Sequence, residues 1–367
     1  MQRSVPDVSE KDSPTLAATC ADEKAGRHGA RPSRRRILSI IAGAGAAVLA
    51  PGVALGAGAE KGDKPPHRWR GRLLGAEAAL ILYHHDQEQA ARAIAAVVAE
   101  VHRLERLFSL HNRNALLVRL NSGEEVARLP AAFVELLGLS ERFHRLSEGR
   151  FDPTVAPLWD LHAAHFTAHP RDERGPDEEA IAAVRERIGL ARLPHPRSGK
   201  PWRLPAGMKL VFNGIAQGYV TDRAVALLRR RGFRHALVNF GEYRALGTHP
   251  AARPFRLALA DPSHPGAALG ETVLPTDMAL ATSSPLAASF DEAGRFHHLI
   301  DPLSGRPAPD APASLWVRAA DATSADALST ALAVTPPAHR GRILARAAGA
   351  RAWFATREGT IREIRRI

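Results

Sequence analysis

From about residue 72 onward, short apolar runs alternate with longer segments of helical period, a pattern that predicts a mixed α/β architecture. Residues 87–106 set Ala90, Ile94, Val97, Val98, Val101 and Leu104 on one stripe, as a helix packed against a sheet requires. Pro130 opens a second helix reaching Ser147, and Asp177 caps a third that ends at Gly189. Residues 160–176 and 192–207, rich in His, Pro, Arg and Gly, read as loops too short to be domain linkers. Beyond them, 209–212 reads as a strand, 217–231 as a helix stopped by Gly232, and 235–240 as another strand, making a strand-helix-strand unit. The tail continues with a strand at 315–319, a helix at 324–334 and two closing strands around the turn at Glu358-Gly359. No internal repeat is visible.

Composition narrows the class. The chain has 367 residues, 45% hydrophobic and 24% charged, enough for one large globular domain or two modest ones. A net charge of +12 opens the question of an anionic partner, but the arginines are scattered, as at 229–231, 362, 365 and 366. With 5% aromatics and no helix-turn-helix or RNA-binding signature, nucleic acid is not an expected partner. The first sixty residues read as a targeting segment. Ser33-Arg34-Arg35-Arg36-Ile37-Leu38 precedes an Ala- and Gly-rich apolar run at 40–55, the order of a twin-arginine export signal. Pro51 and the glycines argue against a membrane span. Cleavage after Ala57-Gly58-Ala59 leaves 60–367 as one domain and removes Cys20, the only cysteine, so no disulfide or Cys-ligated metal is expected. The expected location is the periplasm, with the inner-membrane surface as a place of contact.

Four segments combine Gly, Asn, Asp or His with abrupt changes of period. In the segment from Phe212 to Tyr219, Gly214 and Gly218 lie where a strand turns into a helix, a turn that either serves packing or brings backbone close to a ligand. It lacks the Gly-Lys-Ser/Thr of a Walker loop. In the segment from Asp321 to Thr330, Asp326 and Thr330 stand one turn apart on one helix face. Their oxygens suit a hard cation such as Mg²⁺, although an aspartate near a helix start also has a purely structural use. In the segment from Phe296 to Gly305, a strand and tight turn present His298 and Asp301 as candidate acid-base groups. In the segment from Gly149 to Trp159, Arg150, Phe151 and Asp152 leave a helix together, a mixture that holds a flavin ring or caps the helix.

Taken in order and spacing, these segments resemble the ApbE family of FAD:protein FMN transferases, from about residue 70 to the C-terminus. The resemblance includes Phe108-Ser109-Leu110, Arg119-Leu120-Asn121, the Phe-Asp-Pro-Thr run from Phe151, Asn-Gly-Ile-Ala from Asn213, and His298 to Gly305. Its most specific part is Ser324 to Thr330. The resemblance implies an α+β single domain, with a central, largely antiparallel sheet flanked by helices and related to the T-fold. It implies Mg²⁺ at the Ala216 carbonyl, Asp326 and Thr330. It implies an FAD site along Arg150, Phe151 and Asp152, with further contacts at His111, Asn213, Gly214, Gln217 and Gly241. The chain departs from the family where Val211 replaces an aspartate, Gln217 a lysine and His111 a tyrosine, and where Asn239-Phe240-Gly241-Glu242 shortens a double glycine.

What the resemblance implies is transfer of FMN from FAD to a Thr or Ser hydroxyl of another protein. AMP leaves, His298 or Asp301 acts as base, and the acceptor is a membrane or periplasmic redox protein. The same site with water as nucleophile makes an FAD pyrophosphatase. Loss of chemistry leaves a periplasmic flavin-binding assembly factor. A Ser-His hydrolase at Ser283 or Ser284 lacks a nucleophile elbow.

Overall fold

The computed structural model describes residues 66–367 except 74, 197–199, 262 and 265. The expected export signal, its cleavage site and Cys20 lie outside these residues.

The chain opens with β1 (His67–Leu73) and β2 (Ala76–Leu82), then runs through five helices: α1 (Gln87–Phe108), α2 (Leu116–Asn121), α3 (Ala131–Leu146), α4 (Ala156–Ala168) and α5 (Glu178–Arg185). Helix α6 (Ala216–Arg230) leads into β3 (Ala236–Asn239), β4 (Tyr243–Leu246), β5 (Phe255–Ala260), β6 (Ala268–Leu274) and β7 (Ala279–Ser283). Two short strands, β8 (Ile300–Asp301) and β9 (Arg306–Pro307), precede β10 (Ser314–Ala319), α7 (Ala322–Val334), α8 (Pro337–Arg346), β11 (Arg351–Ala355) and β12 (Ile361–Glu363). The main sheet has eight strands in the order β1-β2-β3-β4-β7-β10-β11-β12. Each neighbouring pair is antiparallel. This is the expected α+β arrangement.

Strand alternation gives the sheet two apolar faces. Leu80, Val238, Ala281 and Val317 join the large core under the helices. Their neighbours Ile81, Leu237, Leu280 and Trp316 turn to the other side, where Phe255, Leu257 and Leu259 of the β5–β6 hairpin cover them. On the helical side, α1 buries Ala90, Ala93, Val97, Val101, Leu104 and Phe108, and the Asp86 carboxylate accepts the Gln89 N–H (2.9 Å) to cap its start. Among the described residues, no helix is long and apolar enough to cross a membrane. The described residues all fall in one compact unit.

Three local expectations need correction. The segment at 160–176 is helical as far as Ala168, because α4 buries His162, a residue that hydropathy counts as polar. His162 Nε2 lies 2.9 Å from the Gly305 carbonyl and donates to it. The segment at 209–212 joins no sheet. Leu210 instead exchanges two hydrogen bonds with the Asn121 side chain (both 2.8 Å), and the Val211 N–H reaches the Pro153 carbonyl (2.8 Å). A side-chain amide thus takes the place of a neighbouring strand, and the expected strand-helix-strand unit is a helix followed by a strand. Helix α5 also stops at Arg185, short of Gly189, whose φ is +114°.

Candidate active site

Helix α7 is apolar on nearly every side, and of its thirteen residues only Ser324 and Thr330 are not buried. A helix of that kind belongs inside a domain, and this one packs against α6, β7 and β10. Glycines set how near α6 and its approach come. A Cβ on Gly218 would stand 2.2 Å from the Ala322 carbonyl oxygen, and one on Gly214 would stand 2.6 Å from Thr330 Oγ1. With neither present, the Gly218 N–H donates to Asp326 Oδ2 at 2.9 Å. The glycines of the 212–219 segment are therefore required by helix-to-helix approach.

Beside this contact opens a cavity of about 510 Å³, within the range of small-molecule sites. It brings together Arg150, Phe151, Asp152, Asn213 and Gly214 with His298, Asp326 and Thr330. These residues come from four distant stretches of sequence. Val211 and Ser283 line it as well, whereas His111, Ala216, Gln217, Gly241 and Asp301 do not. His111 is exposed and lies against the turn at Gly75, and Gln217 is buried against Gly241, where a Cβ would come 2.5 Å from its amide carbon. Ala216 is buried at the start of α6. Asp301 sits just behind the wall, ion-paired with Arg150. It also accepts the Leu303 N–H (3.0 Å), and its carbonyl accepts the Gly305 N–H (2.8 Å), so this carboxylate anchors both Arg150 and the turn.

The cavity adds residues that sequence reasoning passed over. Glu242 lines it while only 4% exposed, and its Oε2 accepts the Thr282 N–H at 3.1 Å. The available signal was an acidic residue directly after a glycine between two apolar strands. Trp159 and Lys209 also face the cavity, and Lys209 Nζ pairs with Asp160 at 2.6 Å.

The electrostatics are dominated by buried carboxylates. Burial pushes the Asp326 carboxyl up to about 8, with the Asp222 charge adding to the rise and the Gly218 hydrogen bond opposing it. Burial also raises Glu242 well above the usual carboxylate range, and the neighbouring Asp326 charge raises it further. Burial raises Asp152 as well, against the bonds it accepts from the Thr154 N–H (2.8 Å) and hydroxyl (2.6 Å). Two buried carboxylates repelling each other across a cavity make a place for a cation. Among the described residues no group of three or more His, Cys, Asp or Glu could hold a metal ion. A cation here therefore needs hydroxyl, carbonyl or substrate oxygens to complete its shell.

His298 is the opposite case. Burial pushes its imidazole down to about 4. Its Nδ1 lies 3.0 Å from the Ala288 carbonyl. A carbonyl can only accept, so Nδ1 carries the proton and the lone pair is on Nε2. His298 lines the cavity as a neutral base of fixed tautomer.

The ApbE family profile matches residues 74–354. An FAD:protein FMN transferase of Haemophilus influenzae is 28% identical over 235 residues, covering 62% of this chain and 67% of that protein. One from Klebsiella pneumoniae is 26% identical over 298 residues, covering 79% of this chain and 82% of its own length. Among solved structures, the apo flavinyl transferase ApbE of Pseudomonas stutzeri superposes with a TM-score of 0.69 at 27% identity, covering 82% of this chain and 95% of that one.

Proposed function

The chain belongs to the ApbE family, and from that premise we propose that it is a magnesium-dependent FAD:protein FMN transferase whose acceptor group is a Thr or Ser hydroxyl. The observation that carries this reading is the meeting of Asp326, Thr330 and neutral His298 in one cavity with the raised carboxylate Glu242. The donor set fits Mg²⁺, a hard cation that accepts few protein oxygens and completes its shell with phosphate oxygens and water. Asp326 and Thr330, which line the cavity, would hold it; the Ala216 carbonyl is a ligand by family resemblance alone, as Ala216 is not among the lining residues. When bound, it supplies positive charge against the pyrophosphate of FAD.

The chain's own groups account for the remaining steps. Arg150, held by Asp301, faces the cavity with a fixed positive charge suited to a phosphate or flavin oxygen. Phe151 and Trp159 contribute apolar and aromatic walls for the flavin. His298 Nε2 takes the proton of the acceptor hydroxyl as its oxygen attacks the FMN phosphorus. The bond between that phosphorus and the oxygen bridging to the AMP phosphate breaks, and AMP leaves with the bridging oxygen. The acceptor is expected to be a redox protein in the periplasm or at the inner membrane, in keeping with the twin-arginine reading of the N-terminus.

The test is incubation of the protein with FAD, Mg²⁺ and an acceptor carrying the target hydroxyl, followed by in-gel flavin fluorescence and mass measurement. An adduct equal to FMN less water supports the proposal. Free FMN and AMP with no adduct would instead mark the protein as a pyrophosphatase.

A further inference from the structure

A helix leaves its first N–H groups without partners inside the helix. In α7 every one of these first groups meets an aspartate. Ser324 N–H reaches Asp321 Oδ1 at 2.7 Å, the local N-cap. The N–H groups of Ala322 and Thr323 reach Asp222 of α6, at Oδ1 (2.8 Å) and Oδ2 (2.9 Å). The Thr323 hydroxyl donates to the same Oδ2 at 2.5 Å, and Arg244 of β4 forms an ion pair with Oδ1. Asp222 is thus a cap supplied by another helix, where negative charge also suits the helix dipole.

Its place along α6 gives this cap a second consequence. Gly218, one turn earlier on α6, holds Asp326, one turn later on α7. The two helices therefore meet at two levels, Asp222 with Ala322 and Thr323, and Gly218 with Asp326. Fixing both levels fixes the rotation and rise of α7, and with them the positions of Asp326 and Thr330 in the cavity. The Gly218 contact by itself is a single hydrogen bond between the two helices.

We infer that Asp222 is a positioning residue of the cation site, which clamps the first turn of α7 to α6 and so presents Asp326 and Thr330 at the spacing that the cation needs. The inference rests on the magnesium reading of the cavity. Asp222 acts through α7 and does not itself touch the cation.

Asp321 provides the control, because its carboxylate caps the same helix locally, through the Ser324 N–H and hydroxyl. Asp222→Asn, Asp321→Ala and the parent protein are titrated with Mg²⁺ alone, read by the shift in unfolding temperature, and then assayed for transfer. Asp222→Asn is expected to weaken Mg²⁺ binding by about tenfold or more, as removal of groups that orient metal ligands commonly does. Saturating Mg²⁺ should restore most of kcat. Asp321→Ala should lower the unfolding temperature without a comparable loss of Mg²⁺ affinity.

Equal Mg²⁺ affinity in Asp222→Asn and the parent overturns the inference. So does an equal loss in both variants, which would reduce the clamp to ordinary helix stability. Should Asp222→Asn fail to fold, Thr323→Val removes only the hydroxyl contact, and it must still weaken Mg²⁺ binding for the inference to stand. Absence of any Mg²⁺ response in the parent protein would overturn the magnesium reading itself, a result distinguishable from the others.

Discussion

At the scale of single residues, the site is set by what burial does to charge. Burial pushes the Asp326 carboxyl up to about 8, so at neutral pH a cation that binds it displaces a proton. Mg²⁺ affinity should therefore weaken by about tenfold per unit as pH falls from 8 toward 6, and thermal-shift titrations at three pH values would measure it. An affinity independent of pH would contradict the buried carboxylate account. The same raised value means that the contribution of Asp326 to metal-free stability is full below its unfolded value near 3.8 and is lost as pH rises through about 8. His298 works the other way, its contribution being full above 6.5 and lost as pH falls toward 4. Because His298 stays neutral down to about 4, an acid limb in the transfer rate above pH 5 should come from loss of the cation, not from this base. His298→Gln should cut the transfer rate by about 10² to 10⁴ while FAD still binds, as judged by fluorescence titration. Asp326, Thr330 and His298 could be singled out from helical spacing and residue chemistry. Glu242 was passed over, since its place after Gly241 between two apolar runs is a weak signal and its importance arises from burial beside Asp326.

At the scale of elements, the α6–α7 contact is the part least tolerant of change. A methyl group on Gly218 has no space between Ala322 and Asp326, so Gly218→Ala should cost about 1 to 3 kcal/mol in denaturant unfolding and weaken Mg²⁺ binding together. Stability and affinity that both remain at parental values would show that α7 can shift at no cost. Helices α1, α6 and α7 and the closing strands were legible because each has a clear apolar period or a capping residue. The segment at 209–212 misled because an apolar run looks the same whether its partner is a strand or the amide of Asn121, far away in sequence. Helix α4 was hidden for a related reason: its histidines read as surface, yet His162 is fully buried and bonded to the Gly305 carbonyl.

At the scale of the whole molecule, the cavity is assembled from stretches near 150, 213, 298 and 326, so its contents should be felt by the entire unit. Ligands that bind only the folded state stabilise it by mass action, about 2.7 kcal/mol at a hundredfold excess over Kd. FAD with Mg²⁺ should accordingly raise the unfolding temperature in a single transition. The sheet and its helical cover could be anticipated in class, whereas the meeting of four distant stretches at one cavity depends on topology. Many arginines that give the chain its charge lie in surface pairs such as Arg103–Glu100 and Arg351–Glu363. The most direct test of the account is the Mg²⁺ dependence of covalent FMN incorporation into an acceptor, followed by mass spectrometry for the parent protein and for Asp326→Ala. The account predicts an adduct and matching AMP release that saturate with Mg²⁺ in the parent, and no adduct at any Mg²⁺ concentration in the folded variant. Labelling by Asp326→Ala at the parental rate would contradict it.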